Sequence, residues 1–181
     1  MDEITAIRRM KAGDFGGLES LMARFQVKAV RAAFLITRDK ARAEDVVQDV
    51  FLRIFQHVGR FDESRPFEPY LMRSVVNAAL NVCRDEKFFI SLDGNIETVE
   101  WLISQAASVE SQTEYSQLKS EILQALGQLP PRQRAAIVQR YYLEMSEQEM
   151  ALALDAAPGT VKWLLNSARA GLRELLKKER I

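Results

Sequence analysis

Helical periodicity runs through most of this chain and fails in one place, between Phe88 and about Thr113. That interruption constrains the fold more than any other feature. On either side of it, apolar residues recur at spacings of three and four, the signature of amphipathic helices. Inside it, Ser, Asp, Gly, Asn and Gln accumulate and no period survives. A helix cannot be threaded through such a stretch without losing its buried face, so the sequence predicts two all-helical domains on a flexible tether. The boundaries are 1–88, 89–118 and 119–181, with a short helix expected inside the tether around Val99–Ala107. No strand pattern and no internal repeat are present.

In the first block, "LESLMARFQVKAVRAAFLI" places Leu18, Leu21, Met22, Phe25, Ala29, Ala32, Ala33 and Ile36 at helical spacing. After the polar "TRDKARAE", a helix over 44–58 carries Val46, Val47, Val50, Phe51, Ile54, Phe55 and Val58. "GRFDESRPFEP" reads as a loop, with Pro69 suited to a first helical turn, and the next helix is expected from Tyr70 to Lys87. Past the tether, helices resume near Glu114 and break at Pro130-Pro131.

Charge follows the same partition. The chain is neutral overall, with 25 Lys/Arg against 25 Asp/Glu, yet residues 89–118 carry no Lys/Arg and 5 Asp/Glu. Residues 1–88 carry +2 and residues 119–181 carry +3. An acidic tether therefore separates two mildly basic ends, neither basic enough to prove nucleic-acid binding alone. The apolar runs are too short to span a bilayer and the N-terminus has no secretory pattern, so a cytoplasmic protein without membrane insertion is expected. A single cysteine, Cys83, and a single histidine, His57, provide neither a disulfide nor a zinc-ligand set. Cys83 is expected as a buried structural thiol and His57 as a helix-end residue, so an enzyme is disfavoured and no cofactor is expected.

The C-terminal block holds a motif. Ser146 and Glu149 have capping-box spacing, so a helix should open at Glu147 with Met150, Ala151 and Leu154 on its core side. "DAA" is a tight turn, and Pro158-Gly159 then begins a long helix burying Val161, Leu164, Leu165, Ala168, Leu172, Leu175 and Leu176. Its other face offers Thr160, Lys162, Trp163, Asn166, Arg169 and Arg173. In helix-turn-helix proteins the start of the second helix enters the major groove. Lys162 and Asn166 have the chemistry for base edges, and Arg169, Arg173, Arg132 and Arg134 for phosphates. An ordinary helical hairpin with a solvated polar face has the same outline.

Two polar faces stand out in the N-terminal block. Asp45, Gln48, Asp49 and Gln56 lie opposite the apolar band of their helix, either as a solvated surface or as a docking strip for a partner. On the next helix, Tyr70, Arg73, Asn77, Asn81 and Arg84 share an outer face. An aromatic ring, two amides and two guanidiniums suit an unpaired nucleic-acid strand, through stacking and bonding to base edges. Phe61, in the preceding loop, is a second stacking candidate or else a loop anchor.

"GDFGGLESLMARF", "AEDVVQDVFLRIF", "RPFEPYLMRSVVNAAL" and "LPPRQRAAIVQRYYLEMSEQEMALALDAAPGTVK" occur in the order and spacing of the extracytoplasmic-function group of sigma factors, in the sigma-70 family. The chain resembles that group over most of its length outside the tether. The resemblance implies a non-catalytic specificity subunit of bacterial RNA polymerase, with a region 2-like first domain and a region 4-like second domain. It implies that Asp45, Gln48 and Asp49 dock on the clamp helices of the β′ subunit. Asn77 matches the position receiving a flipped base of the −10 element, and Phe61 lies in the loop that helps capture the non-template strand. The helix from Pro158 corresponds to the −35 reader, its domain resting on the β flap. An anti-sigma factor is a further implied partner, and the polymerase itself would supply much of the phosphate attraction that a neutral subunit lacks.

The chain also departs from the family's pattern. Tyr70 stands where the family usually has Trp, Met72 where it has an aromatic, and "RDEKFF" dilutes an arginine run. Trp163-Leu164 replaces a common Ser-Arg, and Glu144 replaces a frequent Gly. These changes bear on which promoter is read. A dimeric DNA-binding regulator is the rival reading. It accounts for residues 119–181 and leaves the two N-terminal faces without a role.

Overall fold

The computed structural model describes residues 1–85 and 112–178. These residues form helices and connecting turns, with no strand among them. They fall into two compact units, Met1–Asn81 and Val82–Ile181. The expected tether and its short helix around Val99–Ala107 lie mainly outside the described residues.

The N-terminal unit opens with α1 (Glu3–Lys11), followed by α2 (Phe15–Thr37), α3 (Lys40–His57) and α4 (Phe67–Asp85), with a single 3-10 turn at Val58–Arg60 after α3. An aspartate caps each of the first three helices. Asp2 accepts from the Thr5 amide, Asp14 from Gly16 and Asp39 from Arg42. Each satisfies a backbone donor that the helix itself cannot, a contribution of about 1 kcal/mol. The Asp39 cap explains why α3 begins at Lys40 rather than at the expected residue 44.

"GDFGG" is a helix–helix corner. Gly13 adopts φ +79, turning the chain out of α1. At Gly17, a Cβ would stand 2.3 Å from the Ala6 carbonyl oxygen, so only glycine permits the approach of α1 to α2. The core is then built from Ile7 and Met10 of α1, Leu21, Phe25 and Ile36 of α2, Val47, Phe51 and Ile54 of α3, and Leu71, Val75 and Val76 of α4, all buried. Each contributes roughly 1.5–3 kcal/mol by leaving water. Phe67, fully buried at the start of α4, packs on Phe25 with centroids 5.9 Å apart, and its amide donates to Glu3 Oε1 at 2.9 Å. Lys28 of α2 pairs with Glu68 beside it.

The C-terminal unit contains α5 (Gln112–Gln128), α6 (Pro131–Ile137), α7 (Glu147–Ala153) and α8 (Pro158–Lys178). α5 thus begins within the stretch read as the end of the tether. A five-residue π-helical segment, Val138–Tyr142, continues α6, with the Leu143 amide donating to the Val138 carbonyl at 3.0 Å. Leu126, Leu129, Ala135, Val138, Met150, Leu154, Val161, Leu164, Leu165 and Ala168 make the core. The expected α8 stripe is buried as far as Ala168, while Leu172, Leu175 and Leu176 are only half-buried. No helix among the described residues is long and apolar enough to cross a membrane.

Candidate functional site

α3 presents Asp45, Gln48 and Asp49 to solvent, as the apolar band on its other side requires. Among the described residues, the side chains of Asp45 and Gln48 have no polar partner. Asp49 faces Arg53 at 4.0 Å, with both side chains largely exposed, a pairing worth little. Leu52 shares this strip and is 45% exposed. It escapes a reading that assigns every Leu of an amphipathic helix to the core; its position one turn after Gln48 and Asp49 is the available signal.

α4 carries the second face. Tyr70, Arg73, Asn77 and Asn81 are exposed and spaced three, four and four residues apart, so they line one side over about 16 Å. Arg84 is also exposed, in the last turn of the same helix. Tyr70 is 39% exposed and anchored from behind, its ring 5.1 Å from Phe61 and 6.4 Å from Phe67. Ser74 bonds back to the Tyr70 carbonyl at 3.0 Å, so its hydroxyl is already used.

Phe61 resolves to the anchor alternative. It is buried, with its ring 5.8 Å from Phe67 in an edge-on contact, so it is withdrawn from the surface where an unpaired base would stack. Its loop is braced to α1, since Glu63 accepts from Arg8 Nε at 2.9 Å and Lys11 Nζ at 3.0 Å. The Lys11 and Arg8 hydrogen bonds hold the Glu63 carboxyl below its ordinary range. Ser64 likewise lowers Asp62 by donating to it from both hydroxyl and amide.

In the C-terminal unit, the capping box forms in full. The Glu149 amide donates to Ser146 Oγ, and the Ser146 amide donates to Glu149 Oε2 at 2.8 Å. The turn after α7 passes through Asp155 at φ 46, and Pro158 begins α8. On α8, Lys162, Asn166, Arg169 and Arg173 succeed one another at spacings of four, three and four, making one outward line. Thr160 and Trp163, both exposed, flank it. Lys162 Nζ stands 3.9 Å from Glu147 Oε2 near the start of α7, a loose and exposed pairing worth little. Arg169 is half-buried and bonded to Tyr141 at 2.9 Å. Arg132 is exposed, with one guanidinium nitrogen on the Leu154 carbonyl.

Arg134 corrects the sequence reading. The residue is only 7% exposed, and Nη1 donates to the carbonyls of Gly127 and Leu129 at 3.0 and 3.3 Å. It closes the C-terminal end of α5 and cannot reach a phosphate. Cys83 is half-buried rather than buried. His57 ends α3, with Nδ1–H donating to the Arg53 carbonyl at 2.9 Å.

Chemically, this arrangement combines an acidic-amide strip, a stripe suited to unpaired bases and a helix-turn-helix line suited to a groove. Comparison with known proteins gives two family matches along the chain. Residues 21–89 match the family model for sigma-70 region 2, and residues 119–172 match that for sigma-70 region 4. The chain is 30% identical to an RNA polymerase sigma-E factor of Streptomyces avermitilis, over 93% of this chain and 89% of that one. It is 26% identical to the ECF RNA polymerase sigma factor SigW of Bacillus subtilis, over 94% and 95% of the two chains. Among solved structures, CnrH in complex with the cytosolic domain of CnrY shares the fold at a TM-score of 0.67, with 23% identity over 97% of each chain.

Proposed function

Because the chain belongs to the extracytoplasmic-function group of the sigma-70 family, we propose that its separate faces divide one task, the recognition and opening of a promoter. The protein is an RNA polymerase sigma factor: it binds core RNA polymerase and directs initiation at specific promoters. Residues 1–88 act as the docking and −10 domain, 89–118 as the tether, and 119–181 as the −35 domain.

In this reading, Asp45, Gln48 and Asp49 meet the β′ clamp helices, and the C-terminal domain rests on the β flap. Lys162 and Asn166 face base edges of the −35 duplex from α8, with Thr160 and Trp163 beside them. Arg132, Arg169 and Arg173 fix the register on phosphates. As the duplex opens, Tyr70 stacks on one unpaired base, Asn77 and Asn81 bond the edges of bases further along the strand, and Arg73 and Arg84 hold the backbone. Stacking contributes about 1–3 kcal/mol per base, the same order as the unstacking cost it must offset. The protein supplies recognition and contributes no catalytic group. It works in the cytoplasm, and an anti-sigma factor is its regulatory partner.

The observation that carries this reading is one chain holding both outward lines, the Tyr70–Asn81 stripe on α4 and the Lys162–Arg173 line on α8. A dimeric regulator needs only the second. Gel filtration with bacterial core polymerase, then run-off transcription on a promoter library, tests it. Co-elution and defined start sites are expected; a chain that never joins core, or joins without conferring a start site, rules the reading out.

A further inference from the structure

We infer that Glu63 is a positioning residue for promoter opening: clamped by Arg8 and Lys11 of α1, it fixes the turn that holds Phe61 behind Tyr70. The inference rests on the strand-capture role proposed for Tyr70. That side chain is exposed on α4 and backed by two rings, Phe61 at 5.1 Å and Phe67 at 6.4 Å. A stacking platform keeps its direction only while the groups behind it stay in place. Whatever fixes the two backing rings therefore also aims Tyr70.

Both rings are tied to α1. Phe67, fully buried, has its amide bonded to Glu3 Oε1 at 2.9 Å. Phe61 stands at the mouth of a turn that closes on itself. The Arg65 amide donates to the Asp62 carbonyl at 3.1 Å, and Asp62 Oδ1 accepts from the amide and hydroxyl of Ser64 at 3.0 and 2.7 Å. A turn stiffened by its own side chain moves as one body, with Phe61 attached to it. Its placement is then set by the contacts that body makes with other elements. Glu63, at the first central position of the turn, supplies two, accepting from Arg8 Nε at 2.9 Å and Lys11 Nζ at 3.0 Å.

Exposure decides what this clamp can do. The Arg8 side chain is 69% exposed, so its pairing alone is worth little, whereas those of Lys11 and Glu63 are 26% and 30% exposed and better shielded. Arg8 and Lys11 lie three residues apart on α1 and converge on one carboxylate, restraining the turn from two directions. Such a network adds little to the stability of a domain with a full apolar core. It does govern where a short turn sits when few other contacts compete, and Asp62, Ser64, Arg65 and Pro66 are all exposed. Glu63 thus touches neither DNA nor polymerase in this role and acts through Phe61 on Tyr70.

The test uses holoenzyme assembled from the full chain and bacterial core polymerase, on a promoter recovered by run-off transcription. The rate of opening is followed by permanganate reactivity of −10 thymines. Glu63→Ala is expected to slow opening about threefold, with affinity for core and for the −35 duplex unchanged. Lys11→Met, which leaves the turn itself intact, should slow it by a similar factor. Glu63→Lys should slow it further, and Glu63→Lys with Lys11→Glu should recover most of the rate. In a Tyr70→Ala background, Glu63→Ala should add nothing, since a residue acting through Tyr70 has no independent effect. Melting curves accompany each variant. Parental opening by both Glu63→Ala and Lys11→Met overturns the inference, as does an undiminished effect of Glu63→Ala without Tyr70. Slower opening that tracks a lower melting temperature, and that the charge swap does not restore, assigns Glu63 to stability and overturns it too. Parental opening by Tyr70→Ala overturns the strand-capture reading beneath it.

Discussion

Arg169 is tied to Tyr141 twice: its Nε donates to the phenolic oxygen at 2.9 Å, and its guanidinium carbon lies 5.8 Å from the ring centroid. A long side chain on α8 is thereby held in one direction, and in the proposed role this lowers the entropy lost on binding a phosphate. Arg169→Ala is expected to weaken −35 duplex binding by the holoenzyme and to reduce the slope of log affinity against log salt by about one. Asn166→Ala should instead weaken only the matching sequence and leave the slope unchanged. Fluorescence anisotropy at four salt concentrations separates the two.

Arg134→Ala should act on stability and not on DNA contact. Removing a buried guanidinium strands the carbonyls of Gly127 and Leu129 at the end of α5. A loss of about 2–3 kcal/mol is expected in urea unfolding monitored in the C-terminal unit. An unchanged unfolding midpoint, with a reduced salt slope for DNA binding, would return Arg134 to the phosphate contacts.

Glu149 makes the start of α7 sensitive to acid. The Ser146 amide and then its hydroxyl hold the Glu149 carboxyl below the ordinary glutamate range. A depressed folded value means that the stabilisation is fully present above the unfolded pKa and fades as pH falls through the folded one. Glu149→Gln should therefore lose stability at neutral pH and show a flatter decline on acidification. Ser146→Ala is expected to cost about 1 kcal/mol at neutral pH. Thermal melts between neutral pH and pH 3 provide the comparison.

Glu144 sits at φ 56, a left-handed backbone that a side chain strains. Glu144→Gly should raise the stability of the C-terminal unit by about 1 kcal/mol, since the backbone gains more in the folded state than it loses in unfolded entropy. Differential scanning calorimetry would detect the rise, and a fall would show that the Glu144 side chain holds a contact worth more than the strain.

Asn77→Ala should spare docking and impair opening. Its amide is exposed at the centre of the α4 stripe and supports no part of the core. Permanganate reactivity of −10 thymines should fall while core binding and −35 duplex binding hold. Normal reactivity would remove Asn77 from strand capture.

The features legible in the sequence are those that depend on neighbours in the chain. The capping box opens α7 at Glu147, and Pro158 starts α8, because caps and fixed φ act over three or four residues. The buried faces of α2 and α3 were legible for the same reason. The hidden features depend on which elements meet. Arg134 looks like any surface arginine until α5 ends beside it. Phe61 looks like a loop tip until Phe67 and Tyr70 close around it. Phe15 and Phe55 stand forty residues apart in sequence, and neither alone signals an exposed stack. Gln139, fully buried with an amide lacking a hydrogen-bond partner among the described residues, leaves no mark in a pattern that reads as ordinary helix.

The wide turn at Val138–Tyr142 stores one surplus residue, because an amide reaching five positions back encloses more chain than one reaching four. Loss of a single residue there would let the coil tighten to regular pitch and the bonding ladder re-form, with the chain beyond it keeping its orientation. The same loss inside α8 would swing Asn166, Arg169 and Arg173 off their shared line. Tolerance to changes in length is therefore concentrated upstream of α8, and a one-residue deletion scan should find its survivors between Val138 and Tyr142.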